Sequence, residues 1–272
     1  MTKLFIIEAL AIALAAAAGC STMQETDPAV LAENVRQELT REPADSDAAL
    51  ILSQALDDFA AAAPAGQTVV LTKASKRAAA ARRFKIAGES PLPSNWPKPS
   101  LPGLIRIKSY PPARSAWVRA PEKRNGQFMV LFRHIQAEKI AMTAPVVMEY
   151  ATQAGNAPSK LGATEAMAFL YRRPDQGKTG DYGDVVVEND RPVQVVSVGL
   201  QGSYRKANFR KALDGLRQWL DEHPQWQSAG PPRVLAYNSP FMPWWNKYSE
   251  VQIPVQAVPS DKIGQGQNAT TE

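Results

Sequence analysis

The chain has 272 residues, 44% of them hydrophobic and 21% charged, a composition typical of a globular protein with a buried core. It carries 31 lysines and arginines against 26 aspartates and glutamates, a net charge of +5. The excess is local, because segment 67–86 holds six basic residues and no acid, so a nucleic-acid-binding surface spread over the protein is not indicated. The single cysteine, Cys20, excludes an intramolecular disulfide, and with only two histidines present it excludes a Cys/His zinc site.

The N-terminus has the pattern of an export signal. A lysine precedes an almost wholly apolar run over 4–18, which is shorter than the ~20 residues that a membrane-spanning helix needs. The run ends in Ala-Ala-Gly-Cys20, which resembles the lipobox of bacterial lipoproteins. This resemblance implies that 1–19 is a signal peptide and that Cys20 anchors the protein by lipid in the periplasm. Ser21, rather than aspartate, after the cysteine implies the outer membrane.

The segment 20–65 predicts an acidic helical hairpin. Asp27 can cap a first helix that begins at Pro28, and Asp47 can cap a second, with Pro43 between them. Segment 66–100 combines a basic stretch, 73–85, with a proline-dense connector. Opposite charge suggests that the hairpin and the basic stretch lie near each other, and the alternative is that the stretch binds anionic lipid head groups.

The connector should be extended, because no regular element tolerates five prolines between residues 88 and 103. We expect few contacts across it, so that the domain 101–258 folds without the N-terminal part. The tail at 259–272 is polar and should be flexible.

Within 101–258 the apolar periodicity predicts an α+β domain in which one order of elements occurs twice. That order is two strands, a helix and two strands. The first set is 104–108, 116–118, helix 128–135, 139–150 and 166–172, and the second is 184–188, 193–200, helix 204–223, 234–237 and 250–255.

Two motifs carry a family resemblance. The run Lys139-Ile-Ala-Met-Thr-Ala-Pro-Val146 directly follows the first helix, and Ala236-Tyr-Asn-Ser-Pro-Phe-Met-Pro-Trp-Trp245 leads into Ser249-Glu-Val251. Both resemble signatures of the SOUL haem-binding family, although Ser249 stands where asparagine is usual. The resemblance implies two pseudo-symmetric repeats forming a distorted barrel with the helices outside. It also implies non-covalent binding of haem or another tetrapyrrole.

A tetrapyrrole offers an apolar plate and two propionates, which suit an aromatic wall and one or two cations. The first helix, the strand after it and the aromatic loop supply such residues. Ten candidates are Met129, Phe132, Arg133, His134, Met142, Phe241, Met242, Trp244, Trp245 and Lys247. His134 is the candidate iron ligand, and the alternative for it is an exposed helix histidine beside charge. Each apolar candidate could instead belong to the core.

Glu250 opens a second hypothesis. A carboxylate on an apolar strand should be partly buried with a raised pKa. Relatedness of the SOUL fold to gyrase-inhibitor-like domains implies either a ligand-binding domain in which Glu250 faces a small-molecule pocket, or a small-molecule hydrolase using Glu250 with Tyr237 or Tyr204. A salt bridge from Glu250 to Lys247 or an arginine is the structural alternative. A third hypothesis is an envelope scaffold whose loop tryptophans face a protein partner.

Overall fold

The computed structural model describes residues 27–119, 126–151 and 164–259. The predicted signal peptide, the lipidation site Cys20 and the tail after 259 lie outside the described residues. The helices are α1 (Pro28–Leu39), α2 (Asp47–Ala61), α3 (Pro64–Arg83), α4 (Gln127–Ala137) and α5 (Lys206–Glu222). The strands are β1 (Ile105–Tyr110), β2 (Ala113–Val118), β3 (Val146–Tyr150), β4 (Thr164–Leu170), β5 (Gly180–Tyr182), β6 (Val185–Asp190), β7 (Val193–Gln201), β8 (Trp226–Ser228), β9 (Arg233–Ala236) and β10 (Tyr248–Ala257).

The N-terminal part is a three-helix unit rather than a hairpin followed by a basic stretch. The capping predictions for α1 and α2 are confirmed in part: Asp27 caps α1 through a 2.8 Å hydrogen bond, but Ser46, not Asp47, caps α2. The basic stretch forms most of α3, whose Leu71, Ala74 and Ala78 are buried against the other two helices. Its alanines favour a helix and give a narrow small-residue face, which the run of charges hides in the sequence.

The acidic and basic segments meet as predicted. Arg82 on α3 contacts the carboxylates of Glu38 and Glu42, at N–O distances of 2.5 and 2.7 Å. These pairs are partly exposed, so each contributes about 1 kcal/mol or less to stability. None of the described helices is both long enough and apolar enough to cross a membrane.

The described strands form one antiparallel sheet in the order β1-β7-β10-β9-β3-β4-β2-β6-β5, with β8 paired to β10. The first strand of each predicted repeat pairs with the second strand of the other, β1 with β7 and β6 with β2. β3 and β9 join the halves. The repeated element order is therefore confirmed. One strand prediction is wrong in its start: β3 begins at Val146, since 139–145 makes no sheet ladder.

The two faces of the sheet have separate cores, and their arrangement is that of the expected distorted barrel. Inner-face residues from seven strands share one cluster, so the open sheet wraps around a common core. On the outer face, α4 packs over β2, β4 and β6 through Leu131 and Ile135. Helix α5 packs over β7 and β10 through Phe209, Leu213 and Leu216.

The connector is extended as predicted, but the expectation that it makes few contacts is wrong. Leu92 and Trp96 of the connector pack against the inner core, as do Phe84 and Ile86 just before it. The Trp96 ring lies 4.6 Å from that of Tyr110, centroid to centroid. The proline-rich segment thus covers part of the barrel interior.

Candidate functional site

A row of polar side chains lies on the inner face of β10. Side chains alternate along a strand, so Val251 and Ile253 face α5 while Tyr248, Glu250 and Gln252 face inward. On β1 the same alternation turns Lys108 and Tyr110 inward. Strand β7 lies between β1 and β10 and places Gly199 opposite Glu250.

Glu250 is 0% exposed and accepts hydrogen bonds at both carboxylate oxygens. At Oε1 the donors are the Lys108 ammonium at 2.6 Å and the Ser100 amide at 2.9 Å. The Tyr248 hydroxyl lies between Oε1 (3.1 Å) and the Ser100 carbonyl oxygen (2.6 Å), which share its one proton. At Oε2 the donors are Tyr110 at 3.0 Å, Gln252 at 3.1 Å and Tyr237 at 3.2 Å. These side chains, with Lys108, are called the Glu250 cluster below.

The Glu250 cluster overturns the expected raised pKa. Burial alone would raise the pKa of Glu250, but the Lys108 charge and the converging hydrogen bonds hold it below its usual range. Burial lowers the pKa of Lys108 and raises the pKa values of Tyr110, Tyr237 and Tyr248 well above normal. Glu250 is therefore an ionised, fully satisfied carboxylate, which does not suit a general acid or a base that must reach a substrate.

Of the two tyrosines predicted beside Glu250, Tyr237 is there and Tyr204 is not. The Tyr204 hydroxyl bonds to backbone groups of Asn238 and Tyr248, and burial raises its pKa to about 12. The cation is Lys108, not Lys247, which donates to the Pro240 carbonyl oxygen at 2.8 Å. Neither Lys108 nor the other two tyrosines were predicted from the sequence, although alternation along β1 marks Lys108 and Tyr110 as sharing one face.

Gly199 allows the close approach behind the Glu250 cluster. A Cβ there would lie 2.5 Å from the Tyr248 hydroxyl and 2.8 Å from the Ser100 carbonyl oxygen. We therefore expect Gly199→Ala to destabilise the protein by roughly 1–3 kcal/mol through overpacking. Chemical denaturation measures this. As the control, Gly215→Ala on α5, where nothing lies within 4 Å, should stabilise the protein by about 0.5–1 kcal/mol. Equal effects of the two substitutions would contradict the packing argument.

The candidates on α4 and on the segment that follows it divide between the outer core and the surface. Phe132 and Met142 pack against the outer core that contains Leu131, whereas Met129 and Arg133 are exposed. His134 is buried, so the alternative of an exposed helix histidine is wrong. Its Nε2 lies 2.9 Å from the Tyr171 hydroxyl, and burial lowers its pKa.

Three of the loop candidates are the most exposed aromatic side chains of the described residues. Phe241 is 94% exposed, Trp244 62% and Trp245 55%, and the two indoles meet edge to face at 5.7 Å. The 3-10 turn Trp244–Asn246 fixes their positions. Lys247 lies 5.3 Å from the centre of the Tyr204 ring, at the end of this loop. We call residues 239–247 the aromatic loop.

Among the described residues, no hydrogen bond, ring contact or shared core cluster joins α4 to the aromatic loop. Both nevertheless lead to one end of the sheet. The loop follows β9, and 139–145 precedes β3, with Val146 paired to Ala236 where these strands meet.

Two cavities are relevant. The smaller one, about 240 Å³, lies between the connector and the aromatic loop and is lined by Phe84, Lys85, Ile86, Ala87, Gln201, Asn246 and Tyr248. The larger one, about 390 Å³, opens into the barrel and is called the barrel cavity. It is lined by Trp96, Tyr110, Pro111, Ala113, Trp117, Val147, Glu149, Leu170, Glu188, Asn189, Asp190, Arg191, Val193 and Arg233. In the part of the chain that the structure describes, no three His, Cys, Asp or Glu side chains group to hold a metal ion.

Residues 102–254 match the family described as SOUL heme-binding protein, and the chain belongs to that family. The match covers the barrel except the last three residues of β10, and it leaves out the helices α1–α3. No curated protein matches the chain.

Several solved structures match part of this chain. EcmrR in a DNA complex is 15% identical with a TM-score of 0.43, over 57% of this chain and 58% of that one, so the match spans less than two thirds of EcmrR. The isolated EcmrR C-terminal domain is 15% identical over 57% of this chain and 98% of that one, with a TM-score of 0.42. An uncharacterized conserved protein from Listeria innocua is 11% identical over 57% of this chain and 93% of that one, with a TM-score of 0.43.

Proposed function

We propose that this protein binds haem or a related tetrapyrrole without a covalent bond, at the aromatic loop. The observation that carries the proposal is the exposure of Phe241, Trp244 and Trp245 together on one short loop of a SOUL-family barrel. Large apolar side chains clustered at a surface mark a binding site more often than they stand idle. Flat indole faces match the flat apolar plate of a porphyrin.

Charge favours the aromatic loop over the barrel cavity for this ligand. Lys247 ends the loop and Lys85 lines the adjoining cavity, and either ammonium can meet a propionate. The barrel cavity instead presents three carboxylates, Glu149, Glu188 and Asp190, against two guanidinium groups, Arg191 and Arg233, so its wall suits a doubly anionic porphyrin less well. It also offers no histidine, methionine or cysteine among the residues that line it.

A second wall for the porphyrin comes from the α4 side. The segment 139–145, which carries Met142, ends beside the strand that leads into the aromatic loop. The candidates Met129, Phe132 and Arg133 on α4, and Met242 within the loop, complete the proposed contacts. Iron ligation by histidine is not part of the proposal, because His134 is turned towards Tyr171.

Two parallel titrations test this proposal. Haemin added to the full chain in mild detergent should shift the Soret band and saturate at one equivalent. Metal-free protoporphyrin should bind with an affinity within about tenfold of that of haemin, because apolar and ionic contacts rather than iron ligation hold the ring. A failure of both porphyrins to bind would refute the function, and binding of haemin alone would refute the absence of a histidine ligand.

The proposal also includes the localisation of the protein in the cell. The lipobox-like Ala-Ala-Gly-Cys20 supports lipidation in a bacterial periplasm, at the outer membrane. The exposed Lys73, Lys76 and Arg83 recur along one side of α3, which supports contact with anionic head groups nearby. We expect the wild-type protein in the membrane fraction and the Cys20→Ser variant in the soluble fraction. Each CH₂ of an acyl chain that enters the bilayer contributes about 0.8 kcal/mol of binding free energy. A soluble wild type would rule the anchor out.

A further inference from the structure

The barrel cavity is not used by the proposed tetrapyrrole site. It shares no residue with the aromatic loop, and it lies on the inner face of the sheet. Its volume of about 390 Å³ falls within the range of small-molecule sites, roughly 300–1,000 Å³. Its wall is both charged and aromatic.

One side of the cavity carries hydrogen-bond donors that lack acceptors. Arg233 is held in place because its Nε donates to Gln252 Oε1 at 2.9 Å and its guanidinium lies 5.3 Å from the centre of the Tyr110 ring. Its Nη2 is buried and has no hydrogen-bond partner among the described residues, and the same is true of Trp96 Nε1. Buried donors are nearly always satisfied in folded proteins, so these two point to an acceptor group on a ligand.

The opposite charge lies close by. Glu149 sits directly across from Arg233 in the pairing of β3 with β9, and Asp190 accepts a 3.0 Å hydrogen bond from Trp117 Nε1. Burial raises the pKa values of both carboxyl groups. Glu188 differs, because Arg119 pairs with it at 2.5 Å. Among the described residues neither Glu149 nor Asp190 has an ion-pair partner within 4 Å, although the more distant Arg233 charge acts on both, so a closer cationic group would stabilise them.

The remaining wall is apolar. Trp117, Val147 and Leu170 belong to the inner core and border the cavity. We propose that the barrel cavity binds a small zwitterion, a molecule with one ammonium and one carboxylate on an aromatic or aliphatic body. The carboxylate meets Arg233 and Trp96, the ammonium meets Glu149 and Asp190, and the body packs on Trp117.

The Glu250 cluster gains a role from this assignment. Tyr110 and Gln252 both contact Glu250 at one end and Arg233 at the other. They are positioning residues for the guanidinium, held in place by the buried carboxylate behind them.

Three probes that share a phenyl group test the site by calorimetry on the full chain. Phenylalanine carries both charges, phenethylamine only the ammonium, and 3-phenylpropionate only the carboxylate. We expect phenylalanine to bind at least tenfold more tightly than either of the others. Equal or tighter binding of phenethylamine would overturn the zwitterion assignment, and no binding of phenylalanine at millimolar concentration would overturn the site.

Two variants test the ammonium contact and the carboxylate contact of the ligand separately. Glu149→Gln should weaken phenylalanine and phenethylamine at least tenfold and leave 3-phenylpropionate unchanged. Arg233→Lys should weaken phenylalanine and 3-phenylpropionate and leave phenethylamine unchanged. Asp58→Asn, an exposed carboxylate on α2, is the matched control and should change nothing. If Arg233→Lys does not fold, Glu149→Gln alone decides, and unchanged phenylalanine binding in that variant contradicts the proposal.

Discussion

Replacing Lys108 with methionine is expected to lower the free energy of unfolding by roughly 3–5 kcal/mol, because it leaves the Glu250 charge buried without its cation. The side chain of Lys108 is 4% exposed and that of Glu250 0%. Water therefore cannot take the place of the ammonium. Five of the six donors to Glu250 remain, but none of them carries a charge. Denaturation in urea at pH 7 measures the loss.

The loss of stability in Lys108→Met should become smaller as the pH falls. In the wild type the pKa of Glu250 lies below the ordinary pKa of a glutamate. The stability that the ionised Glu250 contributes is therefore fully present above the ordinary pKa, and it is lost as the pH falls through the lowered pKa. In Lys108→Met, burial dominates and raises the pKa of Glu250. The penalty is then complete above the raised pKa and is relieved as the pH falls towards the ordinary pKa of glutamate, ~4.3. The variant should therefore recover stability, relative to wild type, between pH 7 and pH 5.

The double variant Lys108→Met with Glu250→Gln provides the control. It removes both charges and keeps a hydrogen-bonding side chain of nearly the same shape. We expect it to be more stable than Lys108→Met at pH 7 and to show none of that variant's gain at pH 5. If Lys108→Met is as stable as wild type, or shows no pH-dependent recovery, the account of the Glu250 cluster is wrong.

Replacing Trp244 and Trp245 together by alanine is expected to weaken haemin binding at least tenfold. Burying one tryptophan side chain against a ligand typically contributes more than the ~1.4 kcal/mol that corresponds to a tenfold change. Both indoles are more than half exposed in the free protein, so their removal should cost little stability. Absorbance titration measures the affinity, and circular dichroism checks the fold.

Trp219→Phe is a control for the loss of a tryptophan as such. Trp219 stacks on His223 at 3.8 Å on α5, within the outer core, and belongs to neither cavity. Haemin affinity in this variant should equal that of wild type. Wild-type affinity in the double loop variant would remove the aromatic loop from the site.

The sequence predicts the fold well where the signal is local. Apolar spacing marks α4 and α5, and β-branched runs mark β6 and β7, because each element satisfies its own periodicity. The order of the elements then suggests the repeat. Helix α3 is missed since its buried face is made of alanines and one leucine, which carry little hydrophobic contrast beside the five basic residues of the helix.

The Glu250 cluster could be predicted only in part. The sequence singles out Glu250 and Tyr237, which are 13 positions apart. It does not reveal Lys108 and Tyr110, which reach Glu250 from 142 and 140 positions away. Their approach depends on β1 pairing with β7 rather than with its own repeat, and a side chain's partner across a sheet is set by that register. The sequence predicts a raised pKa for Glu250, which is wrong, because the sequence does not reveal that Lys108 lies beside this carboxylate.

The most direct test of the central claim is an experimental structure of the full chain with haemin bound. We expect the porphyrin to lie against Trp244 and Trp245 of the aromatic loop, with its propionates directed towards Lys247 and Lys85 and with the barrel cavity free of porphyrin. A porphyrin inside the barrel cavity, between Trp117 and Arg233, would contradict the account.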